Sequence, residues 1–462
     1  MGDIHSKTWV KNRGLLLTVI SAALISNILI IFLPVKLILF SILGVILIGL
    51  ALINPFIVLL FMIIVKVINF SLSIVSVGFV EVGLNKILGG FLIVILLMES
   101  ILKKNFGFLR PLQTKLIFCF LLVAFASSVF AEEKDIALLQ AINYLTGFLI
   151  YLLLVSLIKS KRQVGVLISV LIASGVLMVL LEVSVMHGLI PYKLSSIAEG
   201  EEYRFGSFYA QPNELAIHLA VLTPLVVFSF LRFKSLVKKA FIILILIMFL
   251  AVVFLTALRS GVLVLAFALL LLFILKRKHV VLWFFLFLLL AAVLAFIPAE
   301  YLTRLSTLKT LPEGGSSPEP NIALRFDFIK VGLMIFLNNP VFGAGPGNYD
   351  YRIVEYGLER KPAHNAYVSV LAEMGLTGFI IYLLLYYVVF TDYLKTTKTL
   401  SRVDPELKNM TESLFMSFLV FAVGQMAHVA VIDTNFVTLI GLSVVLKKIA
   451  VTPLCGSSTH TK

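Results

Sequence analysis

Charge is what this sequence has least of. Only 13% of its 462 residues are Asp, Glu, Lys or Arg, and 60% are hydrophobic, whereas soluble domains carry roughly 25% charged residues. That scarcity excludes an ordinary soluble enzyme. Two cysteines, Cys119 and Cys455, exclude a disulfide framework. Strand-like alternation is missing, so the long apolar runs read as helices, which in lipid can satisfy their own backbone. No Asp-x-Asp pair and no cluster of His, Cys, Asp and Glu falls in the loops, so no metal site is expected. The first thirteen residues are polar and basic, and no short apolar segment with a small-residue cleavage site follows them; no cleaved signal peptide is read here. No internal repeat is evident, which disfavours transporter folds built from duplicated halves.

What remains is an all-α polytopic membrane protein, one helical membrane domain over 1–462 with about fourteen transmembrane helices (12–14). The spans fall near 14–33, 37–53, 55–70, 84–102, 116–131, 136–158, 164–186, 213–231, 240–257, 260–275, 281–298, 365–390, 413–431 and 433–447. The second and third could instead be one re-entrant element. Lys and Arg clusters follow alternate spans and open and close the chain, so by the positive-inside rule both termini are cytoplasmic. The net charge of +14 is then a topology signal, and nucleic-acid binding is a poor reading of it.

Under this topology two extracytoplasmic loops are long. The first, 187–212, carries Arg204. The second, 299–363, starts with a Pro-, Gly- and Ser-rich linker and then turns apolar at helical spacing from Arg325 to Asn338, a helix lying in the interface. The loop ends in the run Gly343-Ala-Gly-Pro-Gly347 and then His364, at the mouth of the twelfth span. Arginine suits a diphosphate because its planar fork donates two charge-assisted hydrogen bonds and stays protonated; Arg204, Arg259 and Arg325 each sit near a helix end. The competing reading is anchorage to anionic headgroups. His364 is the best general-base candidate, since imidazole titrates near neutrality; alternatively it caps the helix it precedes. Asn365 and Tyr367 could orient it. Glu214 and His218, one turn apart, could be a second proton-handling pair or a buried hydrogen-bonded one, and Glu373 is equally open. Gly345 and Gly347 lack the Lys-Ser/Thr ending and the preceding strand of a nucleotide loop, so the modest reading is a turn that lets backbone approach a substrate.

The ordered series Arg204-Phe-Gly-Ser-Phe, Pro212-Asn213-Glu-Leu-Ala, Leu255-Thr-Ala-Leu-Arg259-Ser-Gly, Asn339-Pro-Val-Phe-Gly-Ala-Gly-Pro-Gly-Asn348 and His364-Asn-Ala-Tyr-Val-Ser-Val-Leu-Ala-Glu373-Met-Gly-Leu-Thr-Gly378 resembles the O-antigen ligase and O-antigen polymerase superfamily, over roughly 200–390. The resemblance implies a glycosyltransferase of the bacterial cytoplasmic membrane with an extracytoplasmic active site, needing neither metal nor nucleotide cofactor. Its donor is an undecaprenyl-diphosphate-linked oligosaccharide and its acceptor a glycan. Arg204 and Arg325 would hold the diphosphate and His364 would activate the acceptor hydroxyl. Arg259 matches the family's Ser-Arg turn with the order changed. The span count and long loop favour a polysaccharide polymerase over an O-antigen ligase acting on lipid A core. A Lys- and Ile-rich chain also suits an exopolysaccharide or teichuronic acid. A chain-length regulator and a flippase are partners such a polymerase would use. A lipid-linked-oligosaccharide flippase or transporter is the rival class.

Overall fold

The computed structural model describes residues 35–67, 73–77, 80–189, 212–256, 258–276, 320–400, 404–428 and 430–456. The spans expected at 14–33 and 281–298, most of the first long loop with Arg204, and the linker expected at 311–320 except Pro320 lie outside these residues. The described residues fall into two compact units divided near Phe106.

In the first unit, α1 (Val35–Ile53) and α2 (Pro55–Val67) meet at Asn54, where the proline ends the preceding helix because it lacks an N–H and crowds the residue before it. The pair expected as either two spans or one re-entrant element is thus two helices joined by a single residue. A small antiparallel hairpin follows, β1 (Ser73–Val77) with β2 (Val80–Gly83), in register Val77 opposite Val80 with a bulge near Ser73. It is the one departure from an all-helical chain among the described residues. α3 (Leu84–Leu102) packs against α1.

The second unit contains α4 (Leu112–Phe130), α5 (Lys134–Leu157), α6 (Lys161–Met186), α7 (Pro212–Arg232), α8 (Leu236–Leu255), α9 (Arg259–Lys276), α10 (Pro320–Asn338), α11 (Ala366–Leu400), α12 (Pro405–Gly424) and α13 (Thr434–Gly456). Seven helices among the described residues are long and apolar enough to cross a membrane: α4 to α8, α11 and α13. The all-α polytopic architecture follows from these. α7 is the most enclosed, its apolar stretch 78% buried, and packs on α6, α8, α9 and α12. α7 and α9 approach closely near their N-termini because Gly261 lies against Ala216, where a Cβ would sit only 2.6 Å from the alanine methyl; small residues at such crossings let backbones meet without a hydrophobic drive.

Polar groups inside lipid need partners, and the bundle supplies them at several points. Asp392 of α11, 5% exposed, accepts from Gln113 of α4 and Lys447 of α13, each at 2.7 Å. The ends of α6, α7 and α12 are tied by Lys161 to Asp404 and Glu406, and by Arg232 to Glu406. α12 starts earlier than its apolar stretch, at Pro405 behind an Asp404 cap that accepts the Leu407 N–H at 2.9 Å.

Candidate active site

The glycine-rich turn settles against the bundle. α11 breaks its helical path at Gly375, whose φ of 63° and ψ of −166° belong to a region that only glycine visits at low cost. Strand-like hydrogen bonds fill the break: Ala344 N–H to Ala372 O and Gly345 N–H to Glu373 O, both 2.9 Å, and Leu376 N–H to Pro340 O at 2.9 Å. Ser127 of α4 donates to Phe342 O and lies 2.9 Å from Glu373 O. The Glu373 carboxylate accepts the Tyr349 N–H at 3.3 Å and faces the N–H of Gly347. Gly345 lies against Ala131, and Gly347 against Ile136 and Gln140. The turn therefore brings backbone close to the protein's own helices, and Glu373 holds the turn.

Beyond the turn a short helix, Tyr349–Arg352, buries Tyr349 under α10, its hydroxyl donating to Phe328 O at 2.6 Å. Phe328, Val331, Ile335, Tyr349, Ile353 and Ala363 share one apolar core. α10 starts at Pro320, one turn before the expected Arg325, because proline is well tolerated in the first helical turn. This cap carries the chain to His364.

His364 adopts φ 48°, a left-handed conformation uncommon outside glycine. Capping falls to its neighbour: Asn365 Oδ1 accepts the N–H groups of Tyr367 at 3.0 Å and Val368 at 3.2 Å. The histidine is thus not the helix cap, and its half-buried ring sits 6.3 Å from the Phe328 ring. Burial, and then the charges of Arg325 and Lys361, lower its pKa from the ordinary 6.5, so the imidazole is neutral near pH 7 and able to take a proton. Tyr367 donates to Ala422 O at 2.8 Å and packs edge-on to Tyr382, so it joins the bundle core.

Of the three arginines, one acts on the histidine directly and a second acts on that arginine. Arg325 acts on His364, and Arg259 in turn acts on Arg325, whose pKa is lowered by burial and then by that neighbouring charge. Arg325 is thus held in the field of a second guanidinium, and neighbouring guanidiniums suit an anion such as a diphosphate. Arg204 lies outside the described residues. Asn213 locks the wall beside Arg259: its Oδ1 accepts from Ser260 at 2.8 Å and its Nδ2 donates to Ala427 O. Gln425 O accepts the Ala366 N–H at 2.9 Å, fixing the start of α11 to the end of α12.

Glu214 has company that sequence reasoning missed. His428 lies near enough to act on the carboxylates of both Glu214 and Asp433, and Asn435 links Asp433 to His218. These residues were hidden inside the expected span 413–431 and at the start of the next. The signal available was the polar interruption from Gln425 to His428 in an otherwise apolar run.

Residues 243–383 match the family model described as O-antigen ligase, and this match supports the O-antigen ligase and polymerase superfamily. No curated protein matches the chain. Among solved structures, a chain from work on how a peptidoglycan synthase complex coordinates polymerization and crosslinking is similar at 15% identity, over 74% of this chain and 96% of that one, with a TM-score of 0.40. A score at that level leaves the fold to be argued from this chain itself.

Proposed function

We propose that this integral membrane protein, whose residues 243–383 carry an O-antigen-ligase signature, is a polysaccharide polymerase at the outer face of the bacterial cytoplasmic membrane. The observation that carries the reading is the convergence of Arg259, Arg325 and a neutral His364. The family match supports a polymerase- or ligase-type glycosyltransferase; the polymerase, its lipid carrier and its sidedness are our inference.

In this reading Arg259 and Arg325, joined by Arg204, clamp the diphosphate of an undecaprenyl-diphosphate-linked glycan. His364 takes the proton of an acceptor hydroxyl on another lipid-linked repeat unit. The freed oxygen attacks the anomeric carbon, and a new C–O bond forms with inversion as the bond to the diphosphate breaks. Undecaprenyl diphosphate leaves with its negative charge already met by the guanidiniums, so neither metal nor nucleotide is required. Preorganised cations aimed at developing charge are the strongest single catalytic device available.

The test is the lipid-linked glycan profile of cells lacking the protein, complemented with wild type or His364→Ala. Single repeat units replacing polymer, rescued by wild type alone, support the polymerase. Finished polymer stranded on its lipid carrier identifies a ligase. Units trapped on the cytoplasmic leaflet identify a flippase and overturn the mechanism.

A further inference from the structure

The contacts around the candidate site close into a circuit. His364 lies in the field of Arg325, and Arg325 in that of Arg259. Ser260, next to Arg259, donates to Asn213, and Asn213 donates to Ala427 O. Gln425 O accepts from Ala366, two residues past the histidine. Five elements thus adjoin around one region: α10, the N-termini of α9, α7 and α11, and the turn between α12 and α13. Its charge is divided. The side made by α9, α10 and the residues before α11 carries Arg259, Arg325 and Lys361. The side made by α7 and the α12–α13 turn carries Glu214 and Asp433.

Glu214, Asp433 and Asn435 are half-buried, whereas His218 and His428 are each only 5% exposed. His218 sits against Asn435 and His428 while its Nε2 has no hydrogen-bond partner among the described residues. That nitrogen keeps hydrogen-bonding capacity beside the carboxyl groups. Among the described residues no group of His, Cys, Asp and Glu is spaced to hold a metal ion.

We propose that Glu214 and Asp433, with Asn435 and His218 behind them, form the acceptor subsite, which grips hydroxyls of the incoming sugar and presents one of them to His364. A diphosphate cannot rest against two carboxylates, whereas a sugar can. A carboxyl group accepts hydrogen bonds from sugar hydroxyls and, when it carries a proton, can also donate one, so it matches an uncharged sugar in either form. The region then sorts its two substrates, the donor to the side with the guanidiniums and the acceptor to the side with the carboxyl groups. The inference rests on the transferase reading, but the subsite can be detected without turnover.

Two variants keep the fold. Glu214→Gln retains length and polarity. Asp433→Asn retains the oxygen that accepts the Phe436 N–H at 2.7 Å, since asparagine caps a helix as well as aspartate does. The acceptor probe is the free repeat-unit oligosaccharide, which has no diphosphate and so cannot act as donor. Saturation-transfer NMR on full-length protein in detergent measures its binding, and proteoliposomes supplied with lipid-linked donor measure KM for each substrate. The expected result is oligosaccharide binding to wild type, weakened by about tenfold in each variant, as loss of a charge-assisted hydrogen bond predicts. KM for the oligosaccharide rises to match and KM for the lipid-linked donor stays unchanged. Absence of binding to wild type, or an equal rise in both KM values, overturns the subsite. Binding lost in the variants while wild type transfers nothing keeps the subsite and defeats the polymerase reading.

Discussion

Replacing Gly375 with alanine tests the framework on which the site is built. The new methyl would lie 2.4 Å from Val341 O, 2.5 Å from Val341 C and 2.8 Å from Gly343 N. All three are backbone atoms, which cannot swing away as a side-chain tip can. The glycine-only backbone conformation alone costs an alanine about 1–3 kcal/mol. Forcing the turn off α11 also loses the hydrogen bonds at Ala344, Gly345 and Leu376, at roughly 1 kcal/mol each. The sum is about 4–6 kcal/mol, enough to lower the melting temperature of the detergent-purified protein by several degrees. Gly188→Ala is the matched control: Gly188 also has positive φ, at 68°, but nothing lies within 4 Å of its missing Cβ. That variant should show the conformational cost alone. If Gly375→Ala melts like wild type, or no lower than Gly188→Ala, the turn does not dock into the helix break as described. Polymer formation should fail in Gly375→Ala, because the docked turn holds the cap that leads to His364.

Other outcomes follow from the same geometry. His364→Ala should insert and melt like wild type yet make no polymer, since a methyl cannot accept the hydroxyl proton; residual polymer would move the base elsewhere. Arg325→Lys should lose most activity in a donor-titration assay, because an ammonium cannot reproduce the bidentate fork, and a wild-type KM for donor would refute the clamp. His364 must be neutral to act and its proton affinity is lowered, so the acid limb of the pH–rate profile should lie below 6.5. Lys361→Gln removes one of the charges responsible and should move that limb upward; a limb that stays or falls contradicts the assignment. Ser127→Ala removes the hydroxyl that bonds Phe342 O and Glu373 O and should cost about 1–3 kcal/mol, read as a lower melting temperature with the pH profile unchanged.

The membrane helices were legible because a bilayer demands about twenty apolar residues in a row. α4 to α9 lie close to their expected limits for that reason. The same rule misplaced the start of α12, expected at 413, because residues 405–412 are helical but polar, and apolarity cannot see a helix that begins in water. The residues proposed to react, His364 and the arginines, stood out in the sequence because ionisable side chains next to apolar runs are costly to keep there. The role of the glycine run was not. Nothing local distinguishes a turn that receives a ligand from one that fits a helix break; the answer lies in Gly375, Ala131 and Ser127, each far away or unremarkable in sequence. Asn365 was read as a possible orienter of His364 and is found capping the helix instead, a role that frees the histidine. His428 and Asp433 escaped because the apolar residues around them disguise the end of α12 at Gly424.

The long reach of the polar ties has a consequence for biosynthesis. Gln113 waits for Asp392, Ser127 for Phe342 and Glu373, and Asn213 for Ala427, sequence separations of 279, 215, 246 and 214 residues. At about 5–20 residues per second, each early helix leaves the ribosome some 10 s to 1 min before its partner exists. Throughout that interval it carries a polar group that hydrocarbon cannot satisfy. The nascent chain is therefore a poor resident of the bilayer until its last third arrives, and helices α4 and α7 have reason to linger beside the insertion machinery. Maturation of the candidate site is thereby tied to completion of the chain: a product truncated before Glu373 leaves Gln113, Ser127 and Asn213 without the partners that the finished protein gives them.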